Sequence, residues 1–427
     1  MKKSLSSVCA LLALCAVLPL GGCKKKEAAA AKNAFVPRYE KNTAGKVYVA
    51  GHYKNFEALE AEFDRFQEYY PEVELRFEFL DKYNRTILSA LKGDNPPDIY
   101  FTFSWMLDKD EYRPLFAAAE NLAAPELGIR LDCIQNGTIV QSKESGRVLM
   151  LPIISNSFGM LVNEKLFKEE GLSVPRTYEE LKDCVRTFKE RGCASPIIGD
   201  VTGELGMFVS LSIPYFCSTV KDNPAAIKTL NELGPGAGAY AEEVLAFAEE
   251  FAKLGAVDLE ACKDLKDING LVFRFFEGDI PMVFCNADTI SSTKKRERIS
   301  EPFMNAPFDY SAYPIPTDRG TLFYKSVSIE LSVYKESRNL EMANEFMRFL
   351  ISPEELNNLA AQKRLLTVTG DYRADKIYTA FAEADETINF DILGLMDAPM
   401  IQMRRAFNAV SRGEMSKEEA LERFGTF

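Results

Sequence analysis

Between Lys46 and Phe103 the hydrophobic period changes four times, and this alternation restricts the fold more than any other feature of the chain. Lys46-Val-Tyr-Val-Ala50 reads as a strand. Phe56, Leu59, Phe63, Phe66 and Tyr70 then recur at helical spacing, and Pro71 ends the run. Val73, Leu75, Phe77 and Phe79 alternate again, as a strand does. Tyr83 to Leu91 returns to a helical pattern that closes near Gly93. After the Pro96-Pro97 break, Asp98 to Phe103 is strand-like. Strand, helix, strand, helix, strand with short links predicts a parallel α/β sheet.

The middle of the chain has the same texture. Gly159 to Leu172 predicts a strand running into a short helix. Thr177 to Gly192 predicts a helix opened by a capping box, with Thr177 as N-cap and Glu180 three residues on. Tyr240, Val244, Phe247, Phe251 and Leu254 predict another helix, ended by Gly255. Gly234 to Gly238 is glycine-rich but lacks the Lys-Ser/Thr that completes a phosphate-binding loop, so it reads as a flexible connection. Asn84-Arg-Thr86 and Asn136-Gly-Thr138 fit the glycosylation pattern, a short motif that carries little meaning by itself.

The N-terminus addresses a different question. Lys2 and Lys3 precede an apolar stretch from Val8 to Leu20, shorter than the roughly 20 residues a spanning helix needs. Leu20-Gly21-Gly22-Cys23 follows, then three lysines and an alanine-rich run to Lys32. A positive start, a short apolar middle and a small-residue end describe a secretory signal. Its end resembles the lipobox of bacterial lipoproteins. That resemblance implies a signal peptide over 1–22, a lipid on the Cys23 thiol, and a tether over 23–45. Each buried lipid methylene contributes about 0.8 kcal/mol, so two or three acyl chains hold a domain stably at a membrane.

Composition excludes several functions. Loss of the leader takes the formal charge from −12 to −14. An acidic chain without a basic stripe argues against nucleic acid as partner. It also argues against adhesion to anionic headgroups, which leaves the lipid as the anchor. His52 is the single histidine, which excludes HExxH hydrolases and multi-histidine metal sites. No GxSxG is present to supply a serine nucleophile. Cys133, Cys184, Cys193, Cys217, Cys262 and Cys285 show no CxxC spacing, and buried free thiols are favoured over bridges. Neither a cofactor nor a metal is expected.

Five stretches, in order, resemble the family 1 extracellular solute-binding proteins, whose best-known relatives are maltose-binding-type receptors of ABC importers. They are PPDIYFTFSW, FGMLVNEKLFKEEGLSVPRTYEELKDC, FRFFEGDIPMVFCNADTISS, FDYSAYPIPTDRG and LEMANEFMRFLISPEELNNLA. The last is similar to the family's helix near a third crossover, and FDYSAYPIPTDRG to its returning hinge strand. The resemblance implies an α/β, two-lobe, periplasmic-binding-protein-like fold of class II. Lobe one takes 46–153 and 314–357; lobe two takes 158–310 and 360–427. It also implies a small polar solute, a sugar first of all, clamped in the cleft and delivered by a monomer to an ABC permease. The same clamp feeding a membrane sensor is the alternative, and a surface glycosidase the remote one.

In open α/β sheets ligands bind beyond the carboxyl ends of strands, which nominates His52, Tyr53, Thr102, Ser104, Trp105, Ser155, Asn156, Asn286 and Asp288. The resemblance adds Phe323 and Tyr324, in a segment where the family often has a ligand-facing loop. Trp105 and Tyr53 would stack on a sugar face or an organic cation; Asp288 and Asn156 would bond hydroxyls. Each has a plainer reading. Trp105 could plug the core, Asn286 and Asp288 could cap a helix, His52 could be structural, and Phe323 and Tyr324 could pack. Asn-Ala-Asp stands where many carbohydrate binders carry tryptophan, which favours a mono- or disaccharide, or another polar solute, over a long oligosaccharide.

Overall fold

The computed structural model describes residues 35–427 except 108, 143, 204–205 and 371–374. The leader, Cys23 and the tether as far as residue 34 lie outside the described residues. Two sheets organise the chain from Pro37 onward. The larger has the order β11 (Glu386–Asn389), β10 (Gly320–Val333), β3 (Ile99–Thr102), β1 (Gly45–Gly51), β2 (Val73–Phe79), with β4 (Leu151–Asn156) and β9 (Ile315–Thr317) also paired to β10; the smaller has the order β6 (Ile197–Ile198), β7 (Met282–Asn286), β5 (Phe158–Asn163), β8 (Tyr310–Tyr313).

The first part follows the predicted alternation closely. β1 (Gly45–Gly51) pairs in parallel with β2 (Val73–Phe79) and β3 (Ile99–Thr102). Helices α1 (Glu57–Gln67) and α2 (Tyr83–Leu91) make the crossovers. The apolar stripe of α1 explains why it stays on the sheet. Phe63 and Phe66 pack on Phe346, with ring centroids 5.4 and 5.3 Å apart, and Phe66 also meets Phe349. Each such burial stabilises by about 1.5–3 kcal/mol.

β4 (Leu151–Asn156) lies in the larger sheet and β5 (Phe158–Asn163) in the smaller, so Ser157 alone joins them. Its hydroxyl is buried and donates to the Tyr324 carbonyl at 2.6 Å, tying this passage to β10. Helices α3 (Glu164–Glu169) and α4 (Tyr178–Glu190) follow; α4 opens with the predicted Thr177–Glu180 capping box. After β6 (Ile197–Ile198) comes α5 (Met207–Val220), buried on nearly every face. α6 (Glu242–Leu254) ends at Gly255, which takes the left-handed conformation at φ 60°. All six described cysteines are free, five of them buried.

Three expectations are corrected. The segment after the Phe284 strand was expected to be a ligand loop. Instead α7 (Ile268–Phe275) leads to β7 (Met282–Asn286), and α8 (Ala287–Arg296) starts at once, because the Asn286 side chain caps it by accepting from Thr289 N at 3.0 Å. Phe308–Gly320, expected as the returning hinge strand, does return the chain from the smaller sheet to the larger. It holds only β8 (Tyr310–Tyr313) in the smaller sheet and β9 (Ile315–Thr317) in the larger, parted by Pro314. The long strand is β10 (Gly320–Val333), where Phe323 and Tyr324 are buried strand residues and not part of a loop. Leu340–Ala360 is two helices, α9 (Leu340–Leu350) and α10 (Pro353–Lys363), since Pro353 starts a new helix that Ser352 caps.

β10 is the structural axis. Its first half pairs with β9 and β11 (Glu386–Asn389), its second with β3 and β4. The register against β4 slips between Val327, Ile329 and Glu330. Such bulges re-aim side chains beside functional sites. Near the C-terminus α11 (Asp397–Ser411) packs on α5 and α6, and a short helix over Lys417–Glu422 follows it.

Candidate functional site

Two cavities flank Trp105, which lines both. Chamber A has a volume of about 600 Å³ and chamber B about 620 Å³, both within the usual range for small-molecule pockets. The bulge of β10 serves both: Ser328 faces A, while Ser326 and Val327 face B. Trp105 is fixed from behind. It sits in a short 3-10 turn, Ser104–Met106, stacks on Phe103 at 6.0 Å and meets Tyr112 edge-on at 5.5 Å. Glu330 is fully buried beneath this turn and bonded to the Ser104 backbone; burial pushes its carboxyl well above the usual range.

Chamber A is an aromatic bowl. His52 and Tyr53 follow β1, with ring centroids 4.3 Å apart; Tyr83 and Phe103 complete the wall. Burial holds the His52 imidazole below its ordinary range, and its Nδ1 is buried without a partner. Lys363 sits 4.5 Å from the Tyr53 ring centroid, and burial lowers its ammonium. Opposite stands Asp288, in the first turn of α8. Its carboxylate accepts from Asn156 Nδ2 at 3.3 Å; burial raises it, while Lys363 and Asn156 oppose the rise. Asn156 also accepts from Ala287 N and Ser157 N, so β4 and α8 are locked together below this carboxylate. The arrangement offers stacking faces on one side and a charged acceptor on the other.

Chamber B is more apolar and more charged at once. Phe116, Leu149 and Tyr324 meet Phe158, Val209 and Ile213 across it. Asp397, Met400 and Arg404 share one face of α11, at spacings of three and four residues. Lys109 lies 4.4 Å from the Trp105 ring centroid and bridges to Asp397 at 3.3 Å. On the other side, Lys295 of α8 bridges to Glu57 of α1 at 2.8 Å. The Lys109–Asp397 pair lies in chamber B, whereas the Lys295–Glu57 pair joins α8 to α1 outside the lining of either chamber.

The sequence-predicted residues divide unevenly. His52, Tyr53, Trp105 and Asp288 converge on chamber A; Ser104, Trp105 and Tyr324 line chamber B. Asn156 reaches the site through Asp288. Thr102, Ser155, Asn286 and Phe323 line neither chamber. Thr102 bonds Ser332 in the core at 3.0 Å, Ser155 is buried in β4, Asn286 caps α8, and Phe323 packs edge-on against Phe381. Tyr83, Phe103, Lys363 and Arg404 are absent from the sequence expectations. Lys82 at the rim and Arg364 beside Lys363 are two of three described non-glycine residues with positive φ, a conformation that clusters at functional sites.

No helix among the described residues is long and apolar enough to cross a membrane, and no described cluster has a metal-ligating set. No curated protein sequence matches the chain. Its structure resembles that of RafE from Streptococcus pneumoniae in its apo form, at 14% identity over 91% of this chain and 98% of that one, with a TM-score of 0.67. RafE in complex with raffinose gives 15%, 90%, 98% and 0.70. A sugar transporter of Bacillus licheniformis in complex with stachyose gives 16%, 89%, 98% and 0.63. Residues 50–261 match the family described as bacterial extracellular solute-binding protein. Two sheets, short passages between them and a divided cleft accompany this match to the bacterial extracellular solute-binding proteins, which spans about half of the chain.

Proposed function

We propose that this protein captures a small polar solute, a sugar first of all, at Trp105, and delivers it to an ABC permease without breaking a bond in it. The observation that carries this reading is the composition of chamber A. An aromatic bowl on the larger-sheet side faces the Asp288 carboxylate from α8 across a cavity of about 600 Å³. Rings stack on the C–H face of a sugar, and a charged acceptor bonds its hydroxyls more strongly than a neutral one. Raffinose and stachyose in the complexes of similar fold support the sugar class.

The proposal divides the chain into lobes as the resemblance implies, with Ser157 and Pro314 among the hinge points. A ligand bonded to both lobes pulls them together only by its differential affinity for the closed form. Closure then gives a permease a shape to recognise. We further propose that the mature protein is a monomer, held outside the cytoplasmic membrane by lipid on Cys23. Cys23→Ser should release it from the membrane fraction; retention there would overturn the anchor.

The test is a thermal-shift screen of the refolded, ligand-stripped chain beginning at Lys24. Sugars, amino acids, polyamines and small anions form the panel. A solute at 100 times its dissociation constant stabilises by about 2.7 kcal/mol. Stabilisation by a sugar class supports the reading, and stabilisation by no solute overturns it.

A further inference from the structure

Arg404 is the charge of chamber B that no carboxylate of that chamber pairs with. It lines chamber B from α11, and its Nε is buried without a hydrogen-bond partner. Among the described residues no carboxylate pairs with it. The acids around it are engaged elsewhere. Asp397, on the same helical face, pairs with Lys109, and Asp110 pairs with Arg113 at 2.6 Å. Asp391 accepts from the Val327 backbone at 3.0 Å and forms no ion pair with Arg404. Glu144 lies exposed at the rim. Phe158, Val209, Ile213 and Met400 give the same chamber an apolar share of its wall. An N–H so placed loses hydration without gaining a partner, a cost that a fold retains when a ligand supplies the missing acceptor. The planar fork of an arginine suits a carboxylate or another oxyanion.

We propose that chamber B takes an oxyanion carried on the solute, a carboxylate or a sulfate ester on a sugar, with Arg404 as its partner. The inference rests on the sugar-binding reading above and deepens it. Chamber A would hold a sugar ring against its aromatic wall, and the acidic group would lie beyond Trp105.

Calorimetric titration of the full mature chain tests this. The probes are matched neutral, uronate and sulfate-ester disaccharides in gluco, galacto and manno series. In at least one series the anionic members should bind about 10-fold tighter or more than the neutral one. Arg404→Gln should weaken the anionic member about 10- to 100-fold and leave the neutral one within about threefold. Arg404→Lys, which keeps the charge and loses the fork, should fall between; it also serves should the glutamine variant not fold. Whichever anionic member binds tighter identifies the oxyanion. Neutral members binding as tightly as anionic ones in every series would overturn the inference while the sugar reading stands. So would an anionic preference that survives Arg404→Gln. Binding of none of these disaccharides would overturn the inference, and with no solute shifting the melting temperature the sugar reading would fall as well.

Discussion

Chambers A and B are nearly equal in volume and share a tryptophan, yet they are built by different kinds of sequence. Chamber A is assembled from strand ends: His52 and Tyr53 after β1, Phe103 after β3, and Asp288 just past β7. Chamber B depends on a helix face near the C-terminus, a strand bulge and the 3-10 turns after β3. The first is a consequence of sheet topology, which a local pattern reveals. The second is made by pieces that meet only in the folded chain. A presents rings and one carboxylate, with Lys82 and Arg85 beside them; B presents an apolar wall, several engaged charges and an arginine without a partner.

The comparison can be broken most forcefully at the wall the chambers share. Trp105→Ala should weaken solute binding by about 3 kcal/mol, since it opens one cavity into the other; an unchanged affinity in a calorimetric titration would remove the tryptophan from the site. Asp288→Asn acts on chamber A alone. It should cost about 2–3 kcal/mol of affinity, the value of a charged acceptor. If binding tolerates it, the carboxylate serves only to hold Asn156.

Asp391→Asn probes chamber B through pH. The folded carboxyl titrates near 6, above its ordinary 3.8, so the folded state binds the extra proton between those values. Stability from this group is therefore full at low pH and is lost as pH rises through about 6. The asparagine keeps an acceptor for Val327 and should gain of order 2 kcal/mol above pH 6, with a flatter pH profile in denaturant titrations. A profile as steep as that of the unaltered chain would contradict this assignment. The smallest effects belong to the two ion pairs. Glu57→Gln and Asp397→Asn should each change solute affinity by about 1 kcal/mol or less, with the difference fading in high salt. Asp397, the less exposed acid, should show the larger loss.

The same contrast explains what the sequence discloses. The alternation from Lys46 to Phe103 specifies β1, α1, β2, α2 and β3 because each segment keeps one period long enough to be read. Thr177, Glu180 and Gly255 mark helix ends through chemistry confined to a few residues. β10 was hidden, since a strand buried along most of its length carries little alternation, and its bulge interrupts what remains. The helix that begins at Ala287 was hidden by Asn286, whose capping and ligand-binding chemistries use the same side-chain oxygen. For Arg404 the signal existed in part: Asp397, Met400 and Arg404 recur on one helical face. Their pairing state, which singles out the arginine, follows from Lys109 some three hundred residues away.

Trp105 is the sole tryptophan, so the most direct test of the account is its fluorescence during titration with each solute that raises the melting temperature. The account expects a saturable change in its emission, with a dissociation constant equal to the calorimetric one. Stabilisation by a solute while the emission of Trp105 stays constant would place binding elsewhere and contradict the central claim.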